Sequence, residues 1–298
     1  MANKVSLLPL DQQVIVITGA SSGSGLCTAL LAAERGACVV LAARSASTLK
    51  DVATVIRDAG GQALAVPTDV TDRDMVEALA GAAVNEYGRI DTWVNGAGVA
   101  IYGRLEEVDE DDSRRLFDIN FWGLVNGSLA ALPYLRYQGG ALINIGSEVS
   151  DAVVPYQGMY SASKHAVKGF TDALRVEIEE LEQPGISITL IQPTAVDTPY
   201  PHHARNYMSR EPQLPKPRID PAKVAEAILK AAVEGGRDVK VGAMASLNVL
   251  ASKLLPSWAD RMAAKQADRQ QEDRPPVAPV GTLFVPGVTG DVYGQRHA

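Results

Sequence analysis

Val14-Ile15-Val16-Ile17-Thr18-Gly19-Ala20-Ser21-Ser22-Gly23-Ser24-Gly25 is the stretch on which the reading of the fold turns. Four β-branched residues in a row suit a strand buried on both faces, as in a parallel sheet covered by helices. The strand runs into glycines and serines and then into an apolar helix, Leu26 to Arg35. In an open α/β sheet that turn is where a dinucleotide pyrophosphate sits, held by helix-start amides and the positive end of the helix dipole. Gly19, Gly23 and Gly25 allow close backbone approach, and Ser21, Ser22 and Ser24 add donors. A tight turn without a ligand is the structural alternative.

Outward from this stretch, strand and helix patterns alternate: Cys38 to Ala43, Thr48 to Asp58, Ala63 to Val66, Asp74 to Tyr87, Thr92 to Asn95, Glu110 to Leu135, Ala141 to Gly146, Met159 to Leu181 and Ile186 to Gln192. Six strands are expected by that point, and a seventh at Val239 to Val241 after a helix starting at Pro221. The fold class is α/β, a Rossmann-type doubly wound parallel sheet of about seven strands with helices on both faces. Residues 1–245 are read as one catalytic domain with a lid at about 195–220. Residues 246–298 are read as a carboxy-terminal helix and tail, not an independent domain. Leu247, Leu250, Leu254 and Trp258 recur at helical spacing and suggest a packed or subunit-contacting helix.

The 298 residues are 46% hydrophobic and 21% charged, with a formal net charge of -7. Such a balance suits a globular protein and offers no basic surface for nucleic acid. The two cysteines, Cys27 and Cys38, make neither a disulfide framework nor a metal set. Pro9 and Asp11 interrupt the amino-terminal apolar run, and no other run reaches the roughly 20 residues of a spanning helix. A cytoplasmic protein without stable membrane insertion is expected. His202-His203 have no nearby acid or cysteine to complete a ligand set, so a lid or substrate-pocket role is expected for them and no metal.

Arg44 and Ser45 end the second strand, where an acidic residue would bond the ribose of NAD. An arginine fork there suits the 2′-phosphate of NADP, so NADP(H) is expected over NAD(H), against the alternative of a solvated surface arginine. Asp69-Val70 offers a carboxylate and an amide to adenine, or a cap to the next helix. Asn95-Gly96-Ala97-Gly98 leaves little bulk beside a cofactor ribose. Tyr160 and Lys164 lie one helical turn apart, downstream of Asn120 and Ser147.

In order and spacing these motifs resemble the short-chain dehydrogenase/reductase family, in its compact single-domain branch, over roughly Gln12 to Val241. The resemblance implies a tetrad of Asn120, Ser147, Tyr160 and Lys164, with Pro193, Val196 and Thr198 beside the nicotinamide. It also implies a homodimer or homotetramer built from the helices around Asp109 to Leu135 and Met159 to Leu181. Ser24, Gly96 and Thr194 depart from the family pattern.

Hydride arriving at a carbonyl carbon leaves charge on oxygen, and Tyr160 would supply the neutralising proton. A cation about 4 Å away at an effective dielectric near 20 is worth about 4 kcal/mol, so Lys164 is expected to bring Tyr160 near neutrality. Asn120 would support a water chain from Lys164 to solvent. Val149, Val153, Val154 and Tyr156 are the candidate substrate wall, faced by Val196, Tyr200, Tyr207 and Met208. The expected activity interconverts a carbonyl and an alcohol on a small to medium, mostly apolar molecule. A cofactor-sensing protein with little turnover is the competing class, and a sugar-nucleotide epimerase or dehydratase a less favoured third.

Overall fold

The computed structural model describes residues 6–182, 185–243, 249, 252, 254–287 and 290–294. Seven strands make one parallel sheet: β1 (Val14–Thr18), β2 (Cys38–Ala43), β3 (Gln62–Pro67), β4 (Thr92–Asn95), β6 (Gly140–Ile145), β7 (Ile186–Pro193) and β9 (Asp238–Val241). Their order across the sheet is β3-β2-β1-β4-β6-β7-β9. β1 is central, Ile15 registering with Val39 on one side and Thr92 on the other. The chain reverses its direction of winding between β1 and β4, which opens the crevice that ligands use in such sheets.

β1 shows why a continuous apolar run was needed. Ile15 and Ile17 point into one core, with Leu26 and Ala29 of α1 (Gly23–Glu34), Leu49 and Val52 of α2 (Ala46–Asp58), and Val224 and Ile228 of α8 (Pro221–Glu234). Val14 and Val16 point into the other, with Val76 and Leu79 of α3 (Arg73–Tyr87) and Leu132 and Leu135 of α5 (Gly123–Gln138). Period-two alternation thus feeds two cores from one strand.

Helix starts follow side-chain chemistry. Asp72 accepts from the amides of Asp74 and Met75 at the start of α3, and Asp220 accepts from Ala222 at the start of α8, where Pro221 is the first helical residue. The cap contemplated for Asp69 therefore belongs to Asp72. The single helix expected over Glu110 to Leu135 is α4 (Glu110–Phe117) joined to α5 by a π-turn, Asp118–Trp122. That wider turn holds Asn120, which is fully buried.

The expected lid contains more order than its prolines suggest. A helical turn, α7 (Tyr200–His203), leads into β8 (Arg205–Asn206), which pairs in parallel with β5 (Ile101–Tyr102). Arg205 and Tyr207 both bond the Asp112 carboxylate, at 2.7 and 2.6 Å. Beyond β9, Leu254 and Leu255 and, on α9 (Pro256–Lys265), Trp258 are exposed, while Leu247 and Leu250 of the expected stripe lie outside the described residues. Among the described residues no helix is long and apolar enough to cross a membrane.

A buried polar chain ties α5 and α6 (Gly158–Arg175) to the sheet. Trp93 Nε1 donates to Asn95 Oδ1, Asn95 Nδ2 donates to Ser128 and Asn144, and Asn144 donates to Thr171. α5 approaches this chain at Gly127, where a Cβ would stand 2.0 Å from Asn95 Oδ1. Gly127→Ala is therefore expected to cost about 1–3 kcal/mol by overpacking. Urea unfolding should show a lower midpoint at an unchanged slope.

Candidate active site

The carboxyl ends of β1, β2, β4, β6 and β7 meet at one cleft of about 300 Å³. Its floor depends on two nested turns. Thr18 Oγ1 accepts from the amides of Gly96 and Ala97, at 3.0 and 3.3 Å, stitching the ends of β1 and β4 together. Gly19 has φ of 74°, and a Cβ on it would lie 2.8 Å from the Gly96 carbonyl. A Cβ on Gly96 would lie 2.7 Å from Thr18 O, so the departure noted at Gly96 is what the close turn requires. Ser21, Ser22, Gly23, Ser24 and Gly25 line the cleft where α1 begins.

At one end, Arg44, Ser45, Asp69 and Val70 form the wall. Arg44 is half-buried, which lowers its pKa, and donates through Nη1 and Nη2 to the carbonyls of Leu283 and Thr282. Burial works to raise the Asp69 carboxyl. Hydrogen bonds from Thr71 and Arg115 outweigh it and hold the group below its ordinary range. Arg115 Nη2 stands 2.7 Å from Asp69 Oδ2, so the carboxylate expected to reach adenine is shared with an arginine of α4.

At the other end, Ser147, Tyr160 and Lys164 all line the cleft. Ser147 follows β6 and caps a short 3-10 turn, accepting from Val149 N at 3.3 Å. Tyr160 and Lys164 share a face of α6. Tyr160 packs edge-on against Tyr200, with ring centroids 5.5 Å apart. Lys164 Nζ donates to Ile145 O at 2.8 Å and stands 5.7 Å from the Tyr160 ring centroid. Burial lowers its pKa to about 8.

The expectation that Lys164 brings Tyr160 near neutrality is corrected here. Burial pushes the Tyr160 phenol up, and the Glu148 carboxylate adds to the rise, against hydrogen bonds from Tyr200 and Ser147. Lys164 is turned to a backbone carbonyl, and desolvation of the phenolate dominates.

Other expected residues divide by position. Ala97, Val149, Val154, Pro193, Val196, Thr198 and Tyr200 are on the cleft wall. Asn120 stands behind it, its amide accepting from Val99 N and donating to Val99 O and Ser163. Asn95 is a correction: its amide belongs to the buried chain under α5 and not to a ribose site. Tyr156, Tyr207 and Met208 are off the wall too. Tyr156 sits in a left-handed turn, φ 62°, and Tyr207 is turned to Asp112. Val153 is 56% exposed.

His203, expected in a lid or substrate pocket, lines the cleft, and further wall residues were not foreseen: Glu148, Gln157, Leu214, Pro215, Thr282, Pro286 and Gly287. Glu148 carried a signal, standing next to Ser147. Thr194 Oγ1 donates to it at 3.1 Å, which gives the unusual threonine after Pro193 a partner. The last three come from a Pro/Gly-rich tail whose composition announces no site.

A family profile described as short chain dehydrogenase matches residues 13–208. The chain belongs to the short-chain dehydrogenase family. It is an oxidoreductase of that family, and its relatives bear this out. It is 42% identical over 276 residues to an uncharacterized oxidoreductase, YxnA, of Bacillus subtilis, covering 91% of this chain and 77% of that protein. It is 40% identical over 188 residues to 11-beta-hydroxysteroid dehydrogenase A of Sesamum indicum, covering 62% of this chain and 53% of that one. A short-chain dehydrogenase/reductase from Burkholderia phymatum, solved in complex with NAD, superposes with a TM-score of 0.75 at 25% identity over 91% of this chain and 99% of its own. An alcohol dehydrogenase from Thermococcus sibiricus, complexed with 5-hydroxy-NADP, gives 0.66 at 27% over 77% and 94%.

The Lys164 value has a measurable consequence. Between about pH 8 and the ordinary lysine value near 10.5, the unfolded chain holds a proton that the folded chain has released. This group therefore makes stability rise with pH over that window. Comparing urea midpoints across it, Lys164→Met should lack that part of the rise.

Proposed function

We propose that this short-chain dehydrogenase is an NADP(H)-dependent oxidoreductase that interconverts a carbonyl and an alcohol, with Tyr160 as general acid and base. The observation that carries the reading is one cleft with Ser147, Tyr160 and Lys164 at one end and Arg44 at the other. The wall fits a dinucleotide: the glycine turns admit a pyrophosphate at the start of α1, and Arg44 has a planar fork for a 2′-phosphate. When bound, the nicotinamide supplies or accepts the hydride.

The chain's own groups do the rest. Ser147 Oγ holds the substrate oxygen by a hydrogen bond, and Tyr160 Oη delivers a proton to that oxygen as charge develops on it. Lys164, whose pKa burial lowers to about 8, returns a proton to the phenolate. Asn120 keeps the Val99 backbone in place behind the pair. Val149, Val154, Val196 and Leu214 favour a small to medium, mostly apolar molecule, with Gln157 and Glu148 to meet a polar group on it. Residues 1–245 carry the catalytic side chains, and the 246–298 tail adds Thr282, Pro286 and Gly287 to the cleft wall. Trp122 and Leu129, exposed on the π-turn and α5, suit a helix-faced homodimer or homotetramer.

Tyr160→Phe should keep NADPH binding within about twofold while turnover falls by about 10²–10⁴. That split is read by NADPH fluorescence titration beside a panel of ketones and secondary alcohols that includes hydroxysteroids. Loss of turnover would separate catalysis from cofactor sensing. Arg44→Ala should weaken NADPH about tenfold and leave NADH little changed, as loss of a charge-assisted bond implies.

The raised phenol fixes the direction of the pH response. A group that keeps its proton through neutral pH is a ready acid, so kcat/KM for carbonyl reduction should stay level through neutrality and fall only in alkali. Alcohol oxidation needs the phenolate and should climb with pH. The opposite slopes in a two-direction pH profile would remove Tyr160 from this role.

A further inference from the structure

We propose that residues 279–287 and 290–294 of the carboxy-terminal segment form a wall of the dinucleotide site: a strap that closes over the bound dinucleotide and must lift for it to exchange. The inference rests on the dinucleotide reading of the cleft and adds a component to it.

The strap is stitched to the rim of the cleft at successive points. It starts at the lid, where Asn206 N donates to Pro279 O at 2.8 Å and Thr282 N donates to His203 O at 2.9 Å. It then crosses the end near β2. Arg44 donates to the carbonyls of Thr282 and Leu283, and Arg115 Nε donates to Leu283 O at 3.2 Å. Leu283 itself is 1% exposed and belongs to the apolar cluster of Val70, Leu116 and Ile119. Further along, Gly290 N donates to Ser21 O and Gly23 N to Asp291 O, at 3.2 and 2.9 Å, on the phosphate turn. It reaches the loop after β7, where a Cβ on Gly294 would lie 2.6 Å from Thr198 O.

The strap takes the Gly23 amide at the start of α1 and leaves the rest of the cleft open. Thr282, Pro286 and Gly287 line the same cleft as Arg44, Tyr160 and Lys164. On that wall the buried His203 Nε2 has no hydrogen-bond partner among the described residues, and a Cβ on Gly287 would stand 3.4 Å from it. His203 lines the cleft, and its ring nitrogen, screened from solvent and without a partner among the described residues, gives a polar ligand under the strap a group to bond. Arg44, whose fork suits a 2′-phosphate, also carries the strap, so ligand and closure share that anchor. Among the described residues two of the five Arg44 donors are engaged, leaving the fork able to serve both.

The test compares the full chain with one ending at Ala278, and with full-length Leu283→Asp, which unseats the apolar anchor without shortening the chain. NADPH release is followed by stopped-flow fluorescence on chasing with excess NADP⁺, a readout independent of turnover. Both variants should release NADPH at least tenfold faster and bind it more weakly. Release within twofold of the full chain in a folded variant, judged by circular dichroism, overturns the strap. Tighter binding in the variants also overturns it, since the segment would then compete with the dinucleotide. No NADPH or NADH binding by any of the three forms overturns the dinucleotide reading itself, and the strap with it.

Discussion

A single hydroxyl at the end of the central strand holds the working geometry together. Thr18 Oγ1 accepts two amides from the turn after β4, so the two strands flanking the crevice end at a fixed separation. Gly19 and Gly96 then face each other closer than side chains permit. The cleft, the start of α1 and the approach to Lys164 through Gly98 all follow from that junction, because each hangs from one of the two turns. Strands buried on both faces make the junction rigid, since neither β1 nor β4 shifts without disturbing both cores.

Most of the fold was legible because hydrophobic periodicity is a direct record of burial. The unbroken Val14-Ile15-Val16-Ile17 run meant two covered faces, and Pro221 marked a helix start by its ring geometry alone. Boundaries at the π-turn were not legible, since Asp118 to Trp122 contains no proline or glycine to mark a break in the helical pattern. The lid was misread as irregular because prolines hide the short pairing of β8 with β5, which depends on a distant partner and not on local propensity.

Within the site, residues fixed by the backbone were readable and those fixed by distant chain were not. Ser147, Tyr160 and Lys164 meet because one strand and one helix present them. Asn95 stands on the adjacent strand end, yet its side chain serves Trp93 and Asn144, a choice made by what α5 brings against it. The phenol was misjudged for a related reason. Spacing gives the nearness of Lys164 to Tyr160, but burial and the direction of the ammonium decide the balance of charge. Thr282 and Gly287 were beyond reach, because a glycine- and proline-rich tail has no periodicity from which a docking place can be read.

The two outer strands of the sheet carry a consequence for assembly. β3 ends in Pro67, which lacks an amide to offer a newcomer, and β9 turns Asp238 and Lys240 outward. Open hydrogen-bonding margins of a long sheet invite templated growth, and these margins are short, charged or missing a donor. Copies of this chain that meet in a crowded solution are thereby discouraged from zipping margin to margin into fibrils, and lasting contact between them is left to helical surfaces.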